Sequence, residues 1–260
     1  MTASCTASLL PLTVSHKERR ATLSRLPFFA LMSSGYDLDG EAVVKPVKRY
    51  LFLCFLLLLT LDAWAAEPIQ PVILVMGDSL SAAYGIDVED GWVNLLQARL
   101  DAQNCSVRVI NASVSGETSS GGLARLPALL DRYTPSLVVL ELGGNDGLRG
   151  QPLSALHSNL TEMIKLSRNA GAQTVLAGMQ IPPSYGRRYA DQFAQIYPTL
   201  AEQHALALIP FLLENVATDL NLMQRDGIHP AAEAQPRILD NVWRSLQPLL
   251  EQGGQGGCEQ

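Results

Sequence analysis

The chain is short of several residue types, and each shortage removes a class of function. Only four histidines and four cysteines occur in 260 residues. No CxxC or CxH spacing groups the cysteines, so a structural zinc site has no ligand set to draw on. Lysine almost vanishes after residue 65, where Lys165 stands alone. Of the 19 lysines and arginines, 12 follow Ala65, against 20 of the 25 carboxylates, which gives that part a net charge of −8. Such a surface favours solubility and argues against nucleic acid or an anionic membrane as the main partner. The GxSxG elbow of α/β-hydrolases is missing too. With 17% charged and 47% hydrophobic residues, the composition suits one globular α/β domain plus a small appendage.

The appendage is the first 65 residues. Lys45, Lys48 and Arg49 form a positive region ahead of "LFLCFLLLLTL" (Leu51 to Leu61), and "AWA" (Ala63 to Ala65) supplies small residues for a peptidase. Residues 45–65 therefore describe a cleavable secretory signal cut after Ala65, and the expected destination is the periplasm or the medium. An uncleaved anchor fits less well. A helix of that run rises only about 16 Å, roughly half the bilayer core, so no stable span is expected once the signal is gone. Residues 1–44 do not belong to a signal, because acidic Asp37, Asp39 and Glu41 precede the basic region. The expectation is a misassigned start, with translation beginning near Val43 or Val44. Residues 66–251 then form the folded domain, and 252–260 form a Gly/Gln-rich flexible tail. An oxidising compartment permits a Cys105–Cys258 disulfide without requiring one.

From Val72 onward, short Val/Ile/Leu-rich runs alternate with stripes at helical spacing. The runs are Val72–Met76, Val107–Ile110, Leu137–Leu142, Thr174–Ala177 and Leu206–Ile209. They show little polar alternation, as strands buried on both faces would. Between them the helical stripes include Trp92, Leu96 and Leu100, then Leu156, Leu160 and Met163, then Phe193, Ile196 and Leu200. A last stripe, Ile238 to Leu246, opens with Pro236 in its first turn. Alternation over about 180 residues implies a parallel sheet covered on both sides. In such sheets a site sits at the carboxyl ends of the strands.

Three polar loops fall at those ends: "GDSLS" after the first strand, "NASVSGETSSGG" after the second and "ELGGNDGLRG" after the third. A fourth, "RDGIHP", precedes the last helix. Ser79 follows its strand directly, at the expected start of a short helix. It is either that helix's N-cap or a nucleophile beside free N–H groups, and the local pattern alone favours the cap. His229 has Asp226 three residues earlier, close enough to orient an imidazole; a proline-anchored helix entry explains the pair equally well. Gly116 can bring a backbone N–H close to a ligand, and Asn145 can offer a side-chain amide. Each is otherwise an ordinary turn residue. His157 and His204 fall in helical segments and read as surface or packing residues. The stretch "MQIPPSYGRRY" offers Ile181, Pro182 and Tyr185 as an acyl-groove lining, or simply a rigid connection. Arg149 reads as a solvated charge or as a lure for anionic leaving groups.

Taken together, "GDSLS", the Gly116 loop, "GGND" and "DGIHP", in this order, resemble the GDSL or SGNH hydrolases. "LARLPALL", "ELGGNDGLRG", "YGRRY" and "DGIHP…AQP" are most similar to the secreted arylesterase, acyl-CoA thioesterase I and lysophospholipase group of bacteria. The resemblance covers residues 70–250. It implies a three-layer α/β/α sandwich, with a flavodoxin-like parallel sheet of five strands and no metal or cofactor. It implies Ser79 as nucleophile, His229 as base and Asp226 as its orienting acid. The Ser79 N–H, the Gly116 N–H and the Asn145 amide would be the oxyanion donors. The expected partner is a small acyl ester or thioester, met by a monomer.

Other classes fit less well. A two-metal phosphoesterase needs several loop His and Asp ligands, and one loop histidine is too few. A non-catalytic binding protein would not need a serine, histidine and aspartate set. A carbohydrate O-acetyl esterase on the same scaffold stays open.

Overall fold

The computed structural model describes residues 70–252. The extension at 1–44, the signal at 45–65, the tail from 253 and the proposed start near Val43 lie outside the described residues. Cys105 is buried and disulfide-bonded; Cys258 lies outside the described residues.

Five strands form the sheet: β1 (Val72–Gly77), β2 (Arg108–Asn111), β3 (Leu137–Glu141), β4 (Gln173–Ala177) and β5 (Ala207–Ile209). Their order is β2-β1-β3-β4-β5 and every pairing is parallel. The connections carry α1 (Trp92–Ala102), α2 (Ser119–Tyr133), a short α3 (Gly144–Leu148), α4 (Leu153–Asn169), α5 (Arg187–His204) and α6 (Gln235–Gln252). Successive residues of β1 alternate between two cores, as strand geometry requires. Ile73 and Val75 meet Trp92, Leu96 and Leu100 of α1 and Ile238, Val242 and Leu246 of α6. Leu74 and Met76 meet Leu126 of α2, Leu160 of α4 and Phe193 of α5. The result is the expected α/β/α sandwich.

Two expectations need correction. The strands are not all buried on both faces: β1 and β3 are, but β2 and β5 are edge strands with partly exposed residues. Ser79 does not start a helix. Residues 79–85 form irregular turns, in which the Ala82 N–H donates to Asp78 O at 3.0 Å and the Tyr84 N–H to Ser79 O at 3.2 Å. Ala83 ends the helical sense there with a left-handed φ of 56°.

The strand order places the site. Successive strands run one way from β1 to β2 and the other way from β1 to β3, so the loops after β1 and β3 diverge around a crevice. Ser79 follows β1 and Asn145 follows β3. His229 comes from the far edge, on the segment that leaves β5 and returns before α6.

Candidate active site

The segment carrying His229 is a tight hairpin. Met223 and Pro230 form an antiparallel bridge, and the Gln224 N–H donates to His229 O at 2.7 Å. At its tip Gly227 takes a φ of +68°, which glycine adopts without a Cβ clash. The turn folds the Asp226 carboxylate back on its own chain. Oδ1 accepts the N–H groups of Ile228 at 2.9 Å and His229 at 3.0 Å. Oδ2 lies 2.7 Å from His229 Nδ1. The His229 backbone N–H, then its ring, then the Ile228 N–H hold Asp226 down to a pKa of about 2. An ionised carboxylate can only accept, so Nδ1 carries the proton. In the neutral imidazole Nε2 is then the acceptor for the Ser79 hydroxyl, 2.9 Å away. The Tyr84 ring packs on the imidazole at 4.4 Å between centroids. An open depression of about 720 Å³, lined by Tyr84, Gly85, Gln224, Arg225 and Asp226, lies on this side of the site.

On the other side stand Gly116 and Asn145. The loop after β2 is tied to β1 by the Ala112 N–H to Val75 O (2.9 Å) and the Val114 N–H to Gly77 O (3.1 Å). Gly116 has a φ of +80°, so glycine is needed for the turn. Arg149 is exposed, as a solvated charge would be, and one of its guanidinium N–H groups donates to Gly116 O at 3.2 Å. Asn145 lies in α3 rather than in a loop. Gly143, with φ +123°, makes the bend before it, and a side chain there would run into the Tyr197 hydroxyl. One hydrogen of the Asn145 amide goes to Asp78 Oδ2 at 3.1 Å, so the other is available. Among the described residues, neither the Ser79 N–H nor the Gly116 N–H has an acceptor.

Beneath Ser79 lies a pair of buried carboxyls that the sequence reading missed. Asp78 is 2% exposed and Glu141 is 0% exposed. Glu141 Oε2 accepts the Asp78 N–H at 3.1 Å and the Ser81 hydroxyl at 2.5 Å. Burial raises Asp78 to a pKa of about 6, and it raises Glu141 well above the carboxylate range, with the Asp78 charge adding to the rise. The signal was present as a charged residue closing each of two apolar strands.

Of the remaining candidates, Ile181 is buried in the core beside α3, where it meets Gly147, while Pro182 and Tyr185 are exposed. His157 and His204 stay on α4 and at the end of α5. No group of three or more His, Cys, Asp or Glu side chains among the described residues could hold a metal.

The profile of the GDSL-like lipase/acylhydrolase family matches residues 75–235. The chain belongs to this family. It is 52% identical to the esterase TesA of Pseudomonas aeruginosa over 197 residues, which covers 76% of this chain and 96% of that one. It is 43% identical to thioesterase 1/protease 1/lysophospholipase L1 of Escherichia coli K12, over 78% of this chain and 94% of that one. The crystal structure of TesA superposes with a TM-score of 0.67 at 54% identity, covering 68% of this chain and 99% of that one. This GDSL-family protein is therefore an ester hydrolase. No helix among its described residues is long and apolar enough to cross a membrane.

Proposed function

We propose that this enzyme cleaves carboxylic esters and thioesters through an acyl-enzyme on Ser79. The observation that carries the reading is the unbroken chain from Ser79 Oγ through His229 to Asp226. His229 Nε2 takes the hydroxyl proton as Oγ attacks the carbonyl carbon. The oxyanion is met by the N–H groups of Ser79 and Gly116 and by the Asn145 amide. His229 returns the proton to the departing alcohol or thiol, and water attacks the acyl-enzyme in the second half. Asp226 stays ionised throughout and holds the tautomer.

The substrate class proposed is aryl esters, acyl-CoA thioesters and lysophospholipids. Large apolar side chains that remain exposed support it: Tyr84, Val88, Val114, Tyr185, Leu220 and Ile228. All six sit on segments that leave the carboxyl ends of strands, on the side of Ser79. Pro182 and Tyr185 are the proposed acyl contacts, with Ile181 packed beneath them. The enzyme is proposed to work without metal or cofactor, as an exported monomer in the periplasm or medium.

The test is a panel of p-nitrophenyl esters and acyl-CoA thioesters of rising chain length, run on the wild type and on Ser79→Ala. The expected result is hydrolysis extending to chains longer than acetyl, abolished by the substitution. Wild-type turnover in Ser79→Ala would remove the acyl-enzyme reading.

A further inference from the structure

Gln224 stands two residues ahead of Asp226 and takes no part in the chemistry just described. We propose that it is a positioning residue: its side-chain amide fastens the hairpin that carries His229 to the turn that carries Ser79. The inference rests on the Ser79–His229–Asp226 reading.

Gln224 Nε2 donates to Tyr84 O at 2.7 Å and to Pro230 O at 3.0 Å. Both partners are carbonyl oxygens, so the amide has only one satisfactory orientation. Tyr84 closes the nucleophile turn, through its N–H on Ser79 O, and its ring lies on the imidazole. Pro230 directly follows His229, whose own carbonyl accepts the Gln224 backbone N–H. One residue thus grips both sides of the base and the far end of the nucleophile turn, across 140 positions of sequence. Gly85 makes room for it. Its φ is +75°, and a Cβ there would collide with the Gln224 amide oxygen.

The chemistry explains why such a tether is needed. In the resting enzyme the Ser79 hydroxyl itself links turn to hairpin. Once Oγ carries the acyl group it has no proton to donate, and that link is gone. His229 must still be in place to activate water. The Gln224 bonds involve no reacting atom and persist through both halves of the reaction. Its loss therefore bears most heavily on deacylation.

The experiment is pre-steady-state hydrolysis of a p-nitrophenyl ester by wild type, Ser79→Ala, Gln224→Leu, Gly85→Ala and the Gly85→Ala/Gln224→Leu double variant. Rates are normalised to the sites labelled by a serine-directed phosphonate. A misplaced base costs about 10- to 100-fold, so kcat of Gln224→Leu should fall in that range. Its kcat/KM should fall less, and its p-nitrophenol burst should grow relative to wild type. The double variant should lose less than the product of the two single losses, because both changes break one contact and Gly85→Ala adds only the backbone strain of its φ of +75°. Per-site kcat at the wild-type level in Gln224→Leu, with Ser79→Ala inactive, would overturn the tether and leave the nucleophile assignment standing. So would losses that simply multiply in the double variant. An active Ser79→Ala would overturn both.

Discussion

At the scale of single residues, the crevice depends on which hydrogen of the Asn145 amide points where. Asp78 Oδ2 takes one, at 3.1 Å. Asp78 is itself fixed by the Leu80 N–H on Oδ1 at 3.0 Å and by its own N–H on Glu141. The carboxylate therefore aims the remaining Asn145 hydrogen without approaching the substrate. Two substitutions separate aiming from donating. Asn145→Ala removes the proposed oxyanion donor, and loss of such a donor typically costs about 2.7–4 kcal/mol of transition-state stabilisation, or roughly 10²–10³ in kcat. Asp78→Asn keeps the donor but can face it with another amide, so kcat should fall by a smaller factor, on the order of tenfold, for one charge-assisted hydrogen bond lost. Steady-state hydrolysis of an aryl ester by the two variants checks the order. An Asp78→Asn loss larger than that of Asn145→Ala would give Asp78 a direct role in place of an aiming one.

At the scale of elements, the crevice is built by fastening short pieces to long ones. Helix α3 is five residues of "GNDGL", with two glycines and no strong helix former except Leu148. It holds because Asp146, 3% exposed, accepts the Ser119 N–H at 2.8 Å and the Ser119 hydroxyl at 2.5 Å. Asn159 of α4 donates to the same hydroxyl at 2.9 Å. Ser119→Ala leaves a buried carboxylate and a half-buried amide each short of a partner, so unfolding free energy should drop by about 1–3 kcal/mol. Urea unfolding measures this. A change within about 0.5 kcal/mol, typical of a surface substitution, would show that the network does not support α3. The same elements show what a sequence can disclose. The strands were legible to within about a residue, because each is a short run rich in Val, Ile or Leu, whether central and buried or at the edge and partly exposed. Helix α3 was not, since its residues favour a turn and only a partner 27 positions away, itself held by Asn159, reverses that. The turn at Ser79 was misread as a helix, as nothing local marks the left-handed Ala83. Ser79, Gly116, Asn145, Asp226 and His229 could be singled out as candidates because polar residues of these types gather at strand ends. Glu141 and Gln224 were not, because their roles exist only through contacts 63 and 140 residues distant.

At the scale of the whole molecule, the buried carboxyl pair should make stability fall as pH rises across the neutral range. Asp78 titrates near 3.8 in the unfolded chain and near 6 in the folded one. Between those values the folded state binds more protons than the unfolded state, so the slope of unfolding free energy against pH is negative. Glu141, raised for the same reason and further by the Asp78 charge, extends the effect upward. Asp226 acts in the opposite sense and in a different window. Its folded pKa of about 2 lies below the ordinary 3.8, so its contribution is complete above about pH 4 and fades only as pH drops toward 2. The two windows barely overlap, and the decline above pH 4 therefore belongs to the buried pair. Each pKa unit is worth about 1.4 kcal/mol, which puts the Asp78 share on the order of 1–3 kcal/mol by pH 8. Glu141→Gln keeps an oxygen for the Asp78 N–H and the Ser81 hydroxyl while removing one of the two titrating groups. Thermal unfolding at pH 5 and pH 8 should show a lower midpoint at pH 8 for the wild type. The gap should shrink in Glu141→Gln, with the variant gaining most at pH 8. Equal gaps in both proteins would mean that the pair carries no pH-dependent cost.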